Sequence, residues 1–529
     1  MAKFKLSSLL GGRAENEQGD GASQPPPASS TEAQDAKKSK RLSLSAFSGA
    51  TGRKQTPSKS ESSTKSLRAQ RETDRTEAAP QPTAMTALAQ RIAAATTTLE
   101  AYFRDHGLPP PGFGPEDAPD FPKLPDDMQK LRQEIIYATK ELRELAIGPR
   151  ESVRWSVWGH LDVMALQVLN HFGIAKLFPA GETITLSELQ KKTPLDPVNL
   201  ARLLRLAITN KLFAEPSPGV IAHTAASRAL AEDEDLQAWV GFNTEDIFPA
   251  SAHVLQSLKA YPEAVHPTQT GFNFAFGTVN QEPMFATFGK DPVRARRMGR
   301  AMASLTGGEG YEVSYLVDVE GGGYDFSAVD EREGTFVDIG GSHGFVCVDL
   351  AKRYKKMRFV VQDLPKTVES APKPISEDSQ IAERITLQAH DFFTEQPVKD
   401  ADVYFFRWII HNYSTPYATK ILRNLVPALK PGARIIINDH CLAEPGSETA
   451  HDEGIIRRMD AVMLALLNAQ ERSEAEFRQL FEAAHPGFVF QGVTRPKGCR
   501  MSIIEAVWRP DGQASPPVPP GPSEGQESS

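Results

Sequence analysis

The stretch Val337-Asp338-Ile339-Gly340-Gly341-Ser342-His343-Gly344 decides how this chain of 529 residues is to be read. Thr335 to Ile339 is a short apolar run entering a glycine turn, and Phe345 to Tyr354 follows with helical spacing. Glycines at that turn let the backbone bend sharply and let a ligand approach it closely. The same rhythm recurs downstream. Arg358 to Asp363, Ile385 to His390, Ala401 to Phe406 and Ala433 to Asp439 read as four further strands. After a helical stretch from 450 to 484, Phe488 to Val493 and Met501 to Trp508 supply two more with a short connection. Strands alternating with helices predict an α/β fold, a parallel sheet covered on both faces, with an antiparallel finish.

Open sheets of this kind bind ligands outside the carboxyl ends of their strands, which makes the acids at those ends informative. Asp338 ends the first strand and Asp363 the second, where a carboxylate can accept hydrogen bonds from both ribose hydroxyls of a nucleoside. Asp391 closes the third with Phe392 beside it, a carboxylate for an exocyclic amine and an aromatic face for a purine. Three acids at successive strand ends predict a nucleoside site. A dinucleotide site would require the GxGxxG spacing, whereas the chain has Gly340-x-Ser342-x-Gly344, a spacing that suits S-adenosylmethionine better.

Upstream, Met128, Leu131, Ile135, Ala138, Leu142 and Leu145 recur at steps of three and four on one helical face, which Gly148-Pro149 stops. Residues 152–178 are apolar nearly all round, with Trp155, Val157, Trp158, Leu161 and Leu169, and are expected to be buried against another element or another subunit. Thr185 with Glu188 predicts a capping box, Pro197 to Lys211 a second helix, and Phe213 to Ile221 a strand-turn-strand wing. This is a winged-helix pattern. Three cations there, Arg202, Arg205 and Lys211, are too few for a DNA footprint, and the net charge of −8 points the same way, so the module is read as an interaction and dimerisation unit rather than a nucleic-acid binder.

Residues 1–80 are rich in Ser, Thr, Pro and Gln and carry 14 Lys and Arg against 9 Asp and Glu, which predicts a disordered basic tail; the final stretch from 511 is expected to be disordered as well. Three dispersed cysteines give neither a disulfide framework nor a metal pair, and no apolar run is long enough to span a membrane. Both observations suit a cytosolic chain without a structural metal.

The motifs VDIGGSHG, VVQDLP (360–365), HDFF (390–393), RWIIHNYS (407–414) and LKPGARIIINDHCL (429–442), in that order, resemble those of the class I O-methyltransferases of the plant caffeate and flavonoid type, and more closely the fungal members that methylate phenolic polyketides. The resemblance covers roughly 150–508. It implies a Rossmann-like, seven-stranded methyltransferase domain at 334–510 behind a winged-helix dimerisation and acceptor-lid domain at 149–333; periodicity and composition add a helical segment at 84–148 and disordered tails at 1–83 and 511–529. It further implies that Asp338 belongs to the cofactor site, that Gly340, Gly341 and Gly344 border the cofactor's methionine moiety, Asp363 its ribose, and Asp391 and Phe392 its adenine. Arg407 stands where the plant enzymes carry a lysine near the cofactor. His411 matches the general base, Asp439, or its neighbour Asn438, an acid beside it, and Glu471 a second acid. Ser342 replaces a usual glycine, and Asp439 a usual glutamate.

Those residue types suit the chemistry. A phenol with a pKa near 10 is a weak nucleophile until deprotonated, and a histidine whose tautomer a carboxylate fixes can remove that proton at neutral pH. Met459 and Met463, four apart on one helix, and Phe272 and Phe276 in an upstream aromatic patch are expected to flank a flat aromatic acceptor. The partners expected are thus a small aromatic hydroxyl compound and a second copy of the chain. Two other functions stand beside this one: a dehydration or ring closure in the same pocket that employs the cofactor electrostatically, and a non-catalytic regulatory partner whose winged helix and basic tail matter more than the pocket.

Overall fold

The computed structural model describes residues 83–510 apart from Glu309; the tails expected to be disordered lie outside the described residues, save Thr83. Thr83 caps the helix Ala84–Asp105 by accepting the Thr86 N–H, and this helix pairs with Asp126–Ile147, partly through the Arg91–Glu134 ion pair at 2.6 Å. Gly148, at φ 80°, ends the second helix as the sequence predicts. Of its expected apolar stripe only Ala138 is buried, and Leu145 is exposed.

The segment 152–178 departs further from expectation. It forms two helices, Pro149–Ser156 and Gly159–His171, and only Ala165, Leu169, Ile174, Ala175 and Phe178 of the segment are buried. Val153, Trp155, Val157 and Trp158 are 51–70% exposed, because the chain's own elements cover one side of this segment and leave the other open. The winged helix follows. Thr185 and Glu188 form the reciprocal capping box, Asp196 caps the helix Pro197–Thr209, and strands Thr183–Thr185, Ala214–Ser217 and Val220–Ala222 make a small antiparallel sheet.

The main sheet has seven strands: β1 (Thr335–Ile339), β2 (Arg358–Asp363), β3 (Ile385–Ala389), β4 (Val403–Arg407), β5 (Arg434–Asp439), β6 (Phe488–Thr494) and β7 (Ser502–Trp508). Their order is β6-β7-β5-β4-β1-β2-β3, with only β7 antiparallel to its neighbours. Alternate residues feed two cores. Val337, Tyr404, Phe406, Ile435 and Ile437 pack on one face, and Phe336, Phe359, Val361, Phe405 and Ile436 on the other. β2 and β3 are added on one side of β1 and β4 and β5 on the other, so the strand order reverses between the parallel neighbours β1 and β4, which places the crevice of the fold at the turns that follow these two strands.

One helix joins the sheet to the helical region. Ala450–Leu467 packs against the helices Phe248–Ala260 and Gly271–Phe276, and Asn468 at its end donates to the His266 carbonyl at 2.9 Å. The chain then returns as Arg472–Ser473, paired in parallel with Cys441–Leu442 just past β5. That pairing carries Glu471 to the carboxyl edge of the sheet. Among the described residues no helix is long and apolar enough to cross a membrane.

Candidate active site

The turn after β1 is built around glycine. Gly340 and Gly344 both sit at φ 76°, a region that a side chain disfavours, and the N–H groups of Gly340 and Gly341 donate to the Gln362 carbonyl at 2.8 and 3.1 Å. A Cβ on Gly340 would lie 2.5 Å from Ile409 Cδ1, so the turns after β1 and β4 touch there with no room for one. Ser342, at φ 52°, donates its N–H to Asp363 Oδ2 at 2.9 Å, while the Leu364 N–H reaches Oδ1 at 2.8 Å. The Asp363 carboxylate is therefore fixed and only half-buried. Asp391 is exposed and accepts the Phe393 N–H at 2.9 Å, and Phe392 lies edge-on to Tyr413 at 5.7 Å.

Asp338 lies behind the turn, fully buried, with the Cys347 thiol at 3.6 Å from its Oδ2. Burial pushes its carboxyl up to about 7 against the opposing pull of Cys347 and Arg407. Arg407 ends β4 close enough to Asp338 to act on its carboxyl, with its guanidinium committed to protein partners. One terminal nitrogen donates to Asn438 Oδ1 and the other to the Tyr311 carbonyl at 2.6 Å, so the side chain clamps a loop from the helical region onto the sheet, and its Nε is buried without a partner. Asn438, with a second bond to the Ser502 carbonyl at 2.9 Å, is thereby separated from Asp439, which alone turns to His411.

His411 sits in the short 3-10 turn Ile410–Asn412, 4% exposed. Its Nδ1 meets Glu471 Oε1 at 2.8 Å, and its backbone N–H donates to Asp439 Oδ2 at 3.0 Å. Asp439 thus positions the base through the backbone and not through the imidazole. Arg472, 1% exposed, spans the turn: Nη1 donates to the Ile410 carbonyl at 3.2 Å and Nη2 to that of Tyr413 at 2.7 Å. Burial alone would lower the His411 pKa, but the carboxylate of Glu471 and the charge of Asp439 outweigh it and hold it above its ordinary value. Burial would raise Glu471, yet His411 and His440 hold it down to about 2. In the neutral ring an ionised Glu471 draws the hydrogen to Nδ1 of His411 and leaves Nε2 as a bare acceptor.

Sequence reading passed over His440, Trp408 and Tyr311, which ring this pair. His440 is wholly buried, its ring 4.9 Å from Trp408 and 5.9 Å from Tyr311. Trp408 holds φ 58°, a strained value for so bulky a residue. Of the four residues expected to flank the acceptor, Phe272 and Met463 are buried in one apolar core, Phe272 against Phe276 at 4.6 Å and Phe288 at 5.6 Å. Phe276 is half-buried under the Arg294 guanidinium at 4.3 Å, and Met459 is half-buried at the margin of the cluster. The i, i+4 spacing of the pairs is that of a helix face packed inward, which is why Phe272 and Met463 are spent on the core.

The sequence and the fold are matched by known proteins. Residues 263–489 fit the model of an O-methyltransferase domain and residues 157–233 that of an O-methyltransferase dimerisation domain. A relative from Trichoderma longibrachiatum, named chlorophenol O-methyltransferase, is 62% identical over 80% of this chain and 90% of its own length. The O-methyltransferase gsfB of Penicillium aethiopicum is 36% identical over 80% of this chain and 98% of its own. The chain belongs to the O-methyltransferase family. The crystal structure of OxaC in complex with SAH and oxaline shares its fold, with a TM-score of 0.63, 24% identity, and coverage of 80% of this chain and 99% of that one.

The methyltransferase uses S-adenosylmethionine, and the residues present fit it: a glycine turn without side chains to block the approach to its backbone, two fixed carboxylates at neighbouring strand ends and an aromatic face beside them. The buried Asp338 behind that turn has a measurable consequence. A carboxyl that stays protonated in the fold while ionised in the unfolded chain makes the fold less stable as pH climbs from the ordinary carboxylate range to about 7, on the order of 1.4 kcal/mol for each pH unit. Asp338→Asn removes that ionisation. The melting temperature of the variant should exceed the parent's by a margin that is smallest near the ordinary carboxylate range and grows toward neutrality; a margin independent of pH would contradict the assignment.

Proposed function

We propose that this methyltransferase transfers a methyl group to the hydroxyl of a small phenolic acceptor, with His411 as general base, and that it works as a homodimer. The observation that carries the reading is the 2.8 Å bond between His411 Nδ1 and Glu471 Oε1 at the carboxyl edge of the sheet. The relative named for chlorophenols supports a compact aromatic acceptor.

Asp363 would hold the cofactor's ribose, Asp391 and Phe392 its adenine, and the Gly340–Gly344 turn its methionine end. When bound, S-adenosylmethionine supplies a methyl carbon already activated on a sulfonium. The protein's own task is to remove a proton and hold the acceptor in line. Nε2 of His411 takes the phenol proton, and the imidazolium that results is neutralised by Glu471, which lies too deep for water to do so. Asp439 and Arg472 hold the turn from both sides, so that the ring presents Nε2 without a search for orientation. Met459 and Phe276, the less buried members of the apolar cluster, would meet the acceptor ring.

The dimer reading rests on the face formed by Val153, Trp155, Val157 and Trp158, since so contiguous an apolar surface marks an interaction site. Light scattering of the parent should give twice the chain mass, and of the Trp155→Glu, Trp158→Glu double variant the single mass; an unchanged mass in the variant would place the interface elsewhere.

His411→Gln should fold and bind the cofactor as the parent does while turnover falls roughly 100-fold to 10,000-fold, the contribution of a positioned base. The deficit should shrink for more acidic phenols, whose phenolate forms without help. Near-normal turnover at neutral pH, or one deficit for acidic and weakly acidic phenols alike, would remove His411 from that role.

A further inference from the structure

We propose that His440 is a positioning residue that shares the Glu471 carboxylate with His411 and so sets how basic His411 is; the inference rests on the reading of His411 as the base. His440 follows β5 directly and is completely buried. Its Nδ1 lies 3.5 Å from Oε1 of Glu471, the same oxygen that His411 Nδ1 meets at 2.8 Å. Two imidazoles therefore face one carboxylate oxygen, and the nearer makes the full hydrogen bond.

The surroundings of His440 argue against a packing role. Among the described residues neither of its nitrogens completes a hydrogen bond, and Glu471 Oε2, Asp439 Oδ1 and Trp408 Nε1 nearby are likewise buried without partners there. Burying so many polar atoms unpaired is costly, and an apolar ring at 440 would fill the space between Trp408 and Tyr311 without that cost. A polar cluster left open in this way is built for a polar guest or for tuning a charge.

The groups that face the array are few. Glu471, Asp439 and Arg472 act on His411. Asp460 accepts the Glu471 backbone N–H at 2.8 Å, and Tyr311 lies beside His440. The Glu471 charge is what holds His411 up against its own burial. A second N–H drawn to the same oxygen takes part of that charge, which lowers the hold on the His411 proton. A larger fraction of His411 is then free to accept a proton at neutral pH.

Three variants of the full chain test this, with S-adenosylhomocysteine bound for the titration and S-adenosylmethionine supplied for turnover. His440→Phe keeps the ring volume and removes the N–H, with His440→Leu in its place should Phe fail to fold. His440→Asn keeps an N–H where Nδ1 stood. The His411 pKa is read by 15N NMR titration, with the resonance assigned by its loss in His411→Gln, and kcat is read against pH. In His440→Phe the His411 pKa should rise by on the order of one unit, the acid limb of kcat should move by the same amount, and cofactor affinity should stay as it was. His440→Asn should restore both toward the parent. An unmoved His411 titration, or a loss of kcat by one factor at every pH, would overturn the inference. If His411→Gln keeps full turnover, the base reading falls and takes the kinetic consequence with it, while the titration still decides whether His440 tunes His411.

Discussion

The hydrogen bond from His411 to Glu471 joins two parts of the chain that are 60 residues apart, and its 2.8 Å length requires both to be held to a fraction of an ångström. His411 rides on the turn after β4, at the switch point of the sheet. Glu471 arrives at the end of a helix whose flank packs on the helical region and whose exit pairs with the chain just past β5. Buried charge explains the supporting parts. An imidazolium in this position has no water to stabilise it, so it must find a carboxylate, and the carboxylate must find N–H groups. Arg472, Asp439 and Asp460 hold the backbone on either side of the pair in place. The Arg407 clamp on Tyr311 closes the same region from the other side.

The sheet was legible because each of its strands is a short apolar run bounded by turn residues, and because β2 and β5 end in an aspartate and β1 carries one next to its end. The acids Asp363 and Asp391 could be placed at the crevice from spacing alone, since strand ends are fixed points of an α/β fold. Glu471 could not. It follows a helix by four residues, with nothing local to mark it, and only the ordered motif series singled it out. His440 and Tyr311 left no signal because their significance lies in what packs around them, and Tyr311 belongs to a loop 96 residues upstream of Arg407, which holds it.

Where expectation and structure part, burial is the reason. Periodicity at 272, 276, 459 and 463 marks apolar faces but does not say whether such a face lines a pocket or a core, and the core took Phe272 and Met463. The opposite holds at 153–158, where a segment too apolar for solvent is left exposed within one chain. Asp439 shows a third case: the residue type and position were read from sequence, but its carboxylate was free to choose between the ring and the backbone of His411, and it bonds the backbone.

The central claim is that the charge of Glu471, and not merely its shape, makes His411 a base. Glu471→Gln keeps an oxygen to accept the Nδ1–H while removing the charge, so it separates the two. Turnover should be measured for a series of phenols of graded acidity at one pH, with cofactor affinity followed by calorimetry. The account predicts unchanged cofactor affinity, a loss of roughly 100-fold for weakly acidic phenols, and a much smaller loss for acidic ones. An equal loss across the series, or none, would contradict it.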